Sequence, residues 1–202
     1  MKTLLSKKMI ITVTILGIAA VVIVVSFILS GQSLCGVPAD DLMGMLAISF
    51  GLGCVPLIPG TAGALGGIIL SLMICRLSIR KQLIAVTLLI LVAIPICDYG
   101  ETYFDGKDAS QIVADELFTF PVATIGLPIH QYPVMLAGIF MTNRIIDWTK
   151  PPPARAAESL PGGVGVVLDD VVASLWTLLL FSIGWRWYRR ASVKRDTFTN
   201  DD

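Results

Sequence analysis

The chain has 202 residues, 55% of them hydrophobic and only 15% charged, with a formal net charge of zero and a mean hydropathy of +0.80. Balanced charge leaves no basic footprint for a nucleic-acid partner. The apolar residues fall in long blocks, which points to an all-α, polytopic helical membrane protein, with about five to seven membrane-embedded helices including one extra at the N-terminus.

Residues 9–30 form the first block, behind Lys2, Lys7 and Lys8. The block is too long for a signal-peptide core and no small-residue cleavage site follows, so it reads as an uncleaved transmembrane helix within an N-terminal unit, 1–41. Residues 42–58 are apolar but broken by Gly44, Gly51, Gly53 and Pro56. They form either a short irregular span or a re-entrant or interfacial helix. After the turn Pro59-Gly60-Thr61, residues 62–75 read as a Gly-rich helix suited to close packing. Arg76, Arg80 and Lys81 mark a basic loop before a span at 83–97. Residues 98–108 read as an acidic loop, and 110–116 as a helix start capped by Asp108 or Ser110. Two short apolar helices, 117–129 and 133–146, are joined by His130-Gln131-Tyr132. Pro151, Pro152 and Pro153 end the second, because proline lacks an amide donor and disfavours helix before it. The last span covers 171–187, with Trp185, Trp187 and Tyr188 as an interfacial belt. A basic, polar tail occupies 189–202, leaving 42–188 as a single membrane catalytic domain. Cys35, Cys54, Cys75 and Cys97 form no CxxC pair, lie in or beside apolar segments, and are expected to be small buried hydrophobes.

Four polar clusters break this pattern: Pro59-Gly60-Thr61; Asp108 with Asp115 and Glu116; Arg144 with Asp147 and Lys150; and Gly162-Gly163-x-Gly165 with Asp169 and Asp170. A charge near the bilayer centre costs about 2.5–3.5 kcal/mol on insertion scales, so such residues persist only when paired, hydrated or used. If the helices form hairpins, all four clusters return to one membrane face. Carboxylates from separate helices make a hard oxygen cage suited to Mg²⁺. Arg144, Asp147 and Lys150 share one helix face at offsets of three, and the two cations supply what a phosphate needs. The glycine run allows close backbone approach and can line an anion site. Together these suggest metal-assisted phosphoryl chemistry, in which Asp115, Glu116, Asp147, Asp169 and Asp170 hold metal and orient water. The inert alternatives are an Asp147 ion pair with Arg144 or Lys150, and Asp169-Asp170 capping the last helix. A transporter or channel would place its ionisable groups in mid-span, whereas these cluster at helix ends. His130, the single histidine, is expected to face away from the site. Thr61 reads as a phosphate or metal contact.

The motifs FGLGCVPLIPGTAGAL (50–65), DASQIVADE (108–116), RIIDWTKPPP (144–153) and GGVGVVLDD (162–170) resemble those of the phosphatidylglycerophosphatase A family. The resemblance covers about residues 42–185. It implies a bacterial, multi-pass enzyme of the cytoplasmic membrane that hydrolyses phosphatidylglycerophosphate with Mg²⁺. It also implies Asp108, Asp115, Glu116, Asp147, Asp169 and Asp170 as acidic metal-site residues, and Thr61, Arg144, Lys150, Gly162, Gly163 and Gly165 on the substrate. This chain departs from the family at Thr119 (usually Gly), Ala64 (Ser), Asn143 (Phe) and Ser174 (Gly). Asn143 and Thr119 are near the acidic groups in sequence and bear on substrate identity, which leaves another lipid phosphate, such as a polyprenyl phosphate, as the alternative.

The family implies a site facing the cytosol, but the charges pull the other way. If 42–58 re-enters, Lys2, Lys7, Lys8, Arg76, Arg80, Lys81 and the basic tail lie opposite the site. The site face then keeps only Lys107, Lys150 and Arg155 besides Arg144. The positive-inside bias would turn that site outward.

Overall fold

The computed structural model describes residues 33–198, with side chains to residue 192. The expected first transmembrane helix at 9–30 lies outside the described residues. Among those described, the chain is all helical and holds no β-strand.

The first segment, α1 (Leu42–Ala47), is capped by Asp41, whose side chain accepts the Gly44 amide at 3.0 Å. A 3₁₀ turn, Ser49–Cys54, follows and is kinked where Phe50 and Gly51 take φ of 54° and 97°. This stretch doubles back on itself and packs against the helix end at Tyr99 and Tyr103 and the chain leading to Ala114. The Tyr99 hydroxyl donates to Asp41 (3.0 Å) and Tyr103 to the Gly36 carbonyl (2.9 Å). Farther along, the Val113 amide donates to the Ala47 carbonyl at 3.0 Å. Cys35 and Cys54 close the stretch with a disulfide, which corrects the expectation for these two cysteines; Cys97 is buried and Cys75 half-buried, both as free thiols. Spacing gave no sign of the bridge, since it joins positions 19 residues apart that meet only once the segment doubles back.

Helix α2 (Pro59–Ile74) begins on a proline, whose missing amide is no loss in a first turn. Gly60, Gly63 and Gly67 recur on one face and admit the chain around Glu116, Val113 and Phe120. The turn into α3 (Ile79–Tyr103) is closed by buried Gln82, which donates to the Cys75 and Leu77 carbonyls and accepts the Gly126 amide at 2.9 Å. At 25 residues, α3 is about 37 Å long, enough to cross hydrocarbon about 30 Å thick. It runs on through Asp98 to Tyr103, so the expected loop is shorter than its acidic composition suggested.

The next helix, α4 (Ala114–Thr119), is short and has no side-chain cap, so neither Asp108 nor Ser110 caps it. It tightens into a 3₁₀ turn, Phe120–Thr124, around Pro121, which explains why 117–129 is no continuous helix. Then come α5 (Pro133–Thr149), a short α6 (Ala154–Glu158) and the long α7 (Gly163–Phe198). The last of these starts eight residues ahead of the expected 171. Asp169 and Asp170 therefore lie inside α7 and do not cap it.

Two buried clusters hold the helices together. Ala47, Ile96, Cys97, Ile112, Ala114 and Val167 pack beneath one end. Phe120, Leu127, Ile129, Leu136 and Ile139 fill the other half. Two helices, α3 and the 163–192 part of α7, are long and apolar enough to cross a membrane. Their outward faces are apolar along their length: Leu83, Leu88 and Leu91 on α3, and Leu175, Leu179 and Ile183 on α7, are each about half exposed. Faces of that sort suit lipid as solvent.

Candidate active site

The start of α4, the end of α5 and the first turns of α7 meet at one end of the bundle. Asp115 and Glu116 open α4, where carboxylates complement the positive end of a helix. Asp170 reaches them from the second turn of α7. One carboxylate oxygen from each of Asp115, Glu116 and Asp170 lies within 4.8 Å of the others. Asp115 and Asp170 are each only 5% exposed. Asp115 Oδ1, Glu116 Oε2 and Asp170 Oδ2 are buried without a hydrogen-bond partner. Buried acceptors are ordinarily paired, and each left bare costs about 1–3 kcal/mol or more.

Arg144 is the nearest cation. It lies 3.2 Å from Asp147, one turn along α5, and 3.9 Å from Glu116. Arg144 thus pairs with Asp147 and grazes Glu116, while Asp115 and Asp170 have no cationic side chain within ion-pair distance among the described residues. Gly60 leaves room for this: a side chain there would strike Glu116 and crowd Arg144. Thr61, half-buried, is its neighbour in the first turn of α2.

Lys150 is placed differently from the sequence expectation. It ends α5 in the left-handed region, φ 43°, as the residue before Pro151 is pushed out of helix, so it does not continue the Arg144–Asp147 face. Its Nζ instead binds Asp169 at 2.7 Å and Glu158 at 3.1 Å. Burial by itself would lower the Lys150 ammonium, but the bonds to Asp169 and Glu158 prevail and hold it above the ordinary lysine range. Asp108 takes φ 52° in the loop after α3 and its amide donates to Glu101. Asp108 is exposed and is not among the three carboxylates that converge.

The glycine run is used for packing. Gly162 takes φ 63°, and a side chain on it or on Gly163 would run into Asp98. The Gly163 amide donates to Asp98 Oδ1 at 3.2 Å, and Gly165 sits against the Leu160 and Glu158 carbonyls. The run lets α7 start hard against α3. Asp98 and Glu158, missed as site-end residues in the sequence, brace this end of the bundle. Asp98 lay in an expected loop, and nothing announced α6. His130 lies in the 125–132 turn at the far end, beside Gln131, as expected.

The family model for phosphatidylglycerophosphatase A matches residues 45–184, from α1 through most of α7. The chain belongs to the phosphatidylglycerophosphatase A family. Its curated relatives are a phosphatidylglycerophosphatase A of Escherichia coli, 31% identical over 71% of this chain and 84% of that protein, and one of Haemophilus influenzae, 30% identical over 67% and 84%. A Bacteroides thetaiotaomicron protein named as a candidate phosphatidylinositol-3-phosphatase is 30% identical over 71% of this chain and 92% of its own length. No solved structure matches. As a member of this family the chain is a phosphoric monoester hydrolase.

Two of its departures from the family pattern prove to be partners. Asn143 Nδ2 donates to Ser174 Oγ at 3.1 Å, joining α5 to α7 between residues 3% and 1% exposed. Thr119 is likewise buried.

Proposed function

We propose that this chain is a multi-pass enzyme of the bacterial cytoplasmic membrane that removes the phosphate from phosphatidylglycerophosphate with Mg²⁺. The observation that carries this is the trio Asp115, Glu116 and Asp170 from two helices: an oxygen of each converges on the others within 4.8 Å, and each has a buried oxygen without a hydrogen-bond partner. An all-oxygen anionic set of this size fits a hard divalent cation. Such an ion, when bound, neutralises charge developing on a phosphoryl group and makes water more acidic. Asp147, tied to Arg144, is suited to accept a proton from attacking water. Arg144 supplies donors for the phosphate oxygens, and Gly60 and Thr61 leave the approach open beside it. Lys150, already bound to Asp169 and Glu158, holds the end of α5 against α7 and adds positive charge to the rim. Trp148, 89% exposed, and Leu57, 99% exposed, are apolar residues close in sequence to this end and suit a substrate held in lipid. Residues 42–188 form the catalytic domain, with 1–41 and 189–202 as additions.

A second lipid phosphate is favoured by one observation. The Bacteroides relative, named for a different head group, is as similar as the other relatives. The test is phosphate release by the purified full-length protein from a panel of lipid phosphates in detergent, with Mg²⁺ and with EDTA. Phosphatidylglycerophosphate is expected to turn over fastest, only with Mg²⁺. Asp170→Asn is expected to lower the rate at least on the order of a hundredfold, with the protein still folded. Metal-independent release, or full activity of Asp170→Asn, contradicts the reading.

A further inference from the structure

We infer that the site opens on the oxidising, non-cytoplasmic side of the membrane, so that the lipid phosphate it takes is one presented in the outer leaflet. The inference rests on the proposed function for the nature of the substrate and on two separate observations for the side.

The first is the disulfide. Cys35 and Cys54 are joined, and the segment they close belongs to the site end. Its Ala47 carbonyl holds the Val113 amide, two residues before Asp115. Its Asp41 and Gly36 hold the tyrosines at the end of α3. Disulfides persist in oxidising compartments and are rare where thiols are kept reduced. Cys75, by contrast, is a free, half-buried thiol in the turn at the far end.

The second is charge. The doubled-back path of 34–58 brings α2 down from the site end to the 75–78 turn, α3 back up, and α7 down to the far end, where Trp185 meets Tyr132 with ring centroids 5.0 Å apart. Arg76, Arg80, Lys81, Arg186, Arg189 and Arg190 therefore gather at the far end. At the site end Arg144 and Lys150 are bound to carboxylates, leaving Lys107 and Arg155 as its other cations among the described residues. Cationic loops stay in the cytoplasm, so the far end is the cytoplasmic one. The disulfide and the charges name the same side.

The consequence is chemical. A phosphomonoester lipid confined to the inner leaflet is out of reach of Asp115, Glu116 and Asp170, and its hydrolysis requires prior transfer across the bilayer.

The test reads side without reading activity. In the full-length chain carrying Cys75→Ser, a reporter thiol is placed by Ser110→Cys at the site end or Ser78→Cys in the far turn, both exposed serines. Intact cells are treated with a membrane-impermeant maleimide. The expected result is labelling of Ser110→Cys in intact cells and of Ser78→Cys only after permeabilisation. In acid-quenched unsubstituted protein, Cys35 and Cys54 are expected to alkylate only after reduction. The reverse labelling pattern, equal labelling of both reporters in intact cells, or Cys35 and Cys54 alkylating without reductant overturns the inference. Lys107→Cys replaces Ser110→Cys if that variant does not accumulate. Because phosphate release in detergent is independent of side, an inactive protein with the expected labelling refutes the proposed function and leaves this inference standing.

Discussion

At the residue scale, the pair Asn143–Ser174 shows how a family pattern is rewritten. Where the resemblance to the family leads to an expectation of Phe and Gly, this chain has an amide and a hydroxyl bonded at 3.1 Å in a buried helix contact. A phenyl ring needs the space a glycine leaves, while an asparagine needs an acceptor. Asn143→Phe alone is therefore expected to destabilise the protein by about 1–3 kcal/mol, through crowding and an unpaired Ser174 hydroxyl. Asn143→Phe with Ser174→Gly is expected to recover most of that loss, as contacting residues couple. Thermal unfolding of both variants in detergent measures it; additive losses would mean that the two positions do not act as a pair. The sequence displayed each departure but gave no indication that they touch, since 31 positions separate them and no helical period links α5 to α7.

At the element scale, the structure departs from the sequence reading mostly at boundaries. The Gly162-Gly163-x-Gly165 run looked like a loop lining an anion site. Instead α7 begins there, because only residues without side chains can lie against Ile94 and Asp98 of α3. Once that start is fixed, Asp169 and Asp170 fall in the second turn and point into the bundle, one to Lys150 and one to Asp115 and Glu116. The convergence of clusters on one end was legible, because hairpin parity follows from the number of apolar blocks alone. The cap of α4, the extent of α3 and the left-handed Lys150 were not, since each is decided by tertiary contact or by a proline's local effect. Gly163→Leu is expected to push α7 from α3 and lower stability by about 1–3 kcal/mol or more, with activity lost in proportion to displacement of Asp170. Gly184→Leu is the control, because a side chain there meets open space and should leave unfolding unchanged. Equal effects of the two would contradict the packing role given to the glycine run.

At the scale of the whole molecule, the bundle keeps apolar residues outward along its length and brings Asp115, Glu116, Asp147, Asp169 and Asp170 to one end. Segments far apart in the chain supply Asp115, Glu116 and Asp170, while Arg144 is engaged chiefly by Asp147. Buried carboxyls gathered in this way are relieved by taking up protons or by holding a cation, and the proposed function takes the second course. The account therefore stands on cation binding at this trio. The most direct test is Mn²⁺ binding to the purified protein, followed by electron paramagnetic resonance and competed with Mg²⁺. The account predicts tight Mn²⁺ that Mg²⁺ displaces, lost in Asp170→Asn and in Asp115→Asn but retained in His130→Ala, whose ring is at the opposite end. Binding that persists unchanged in both aspartate variants would contradict it.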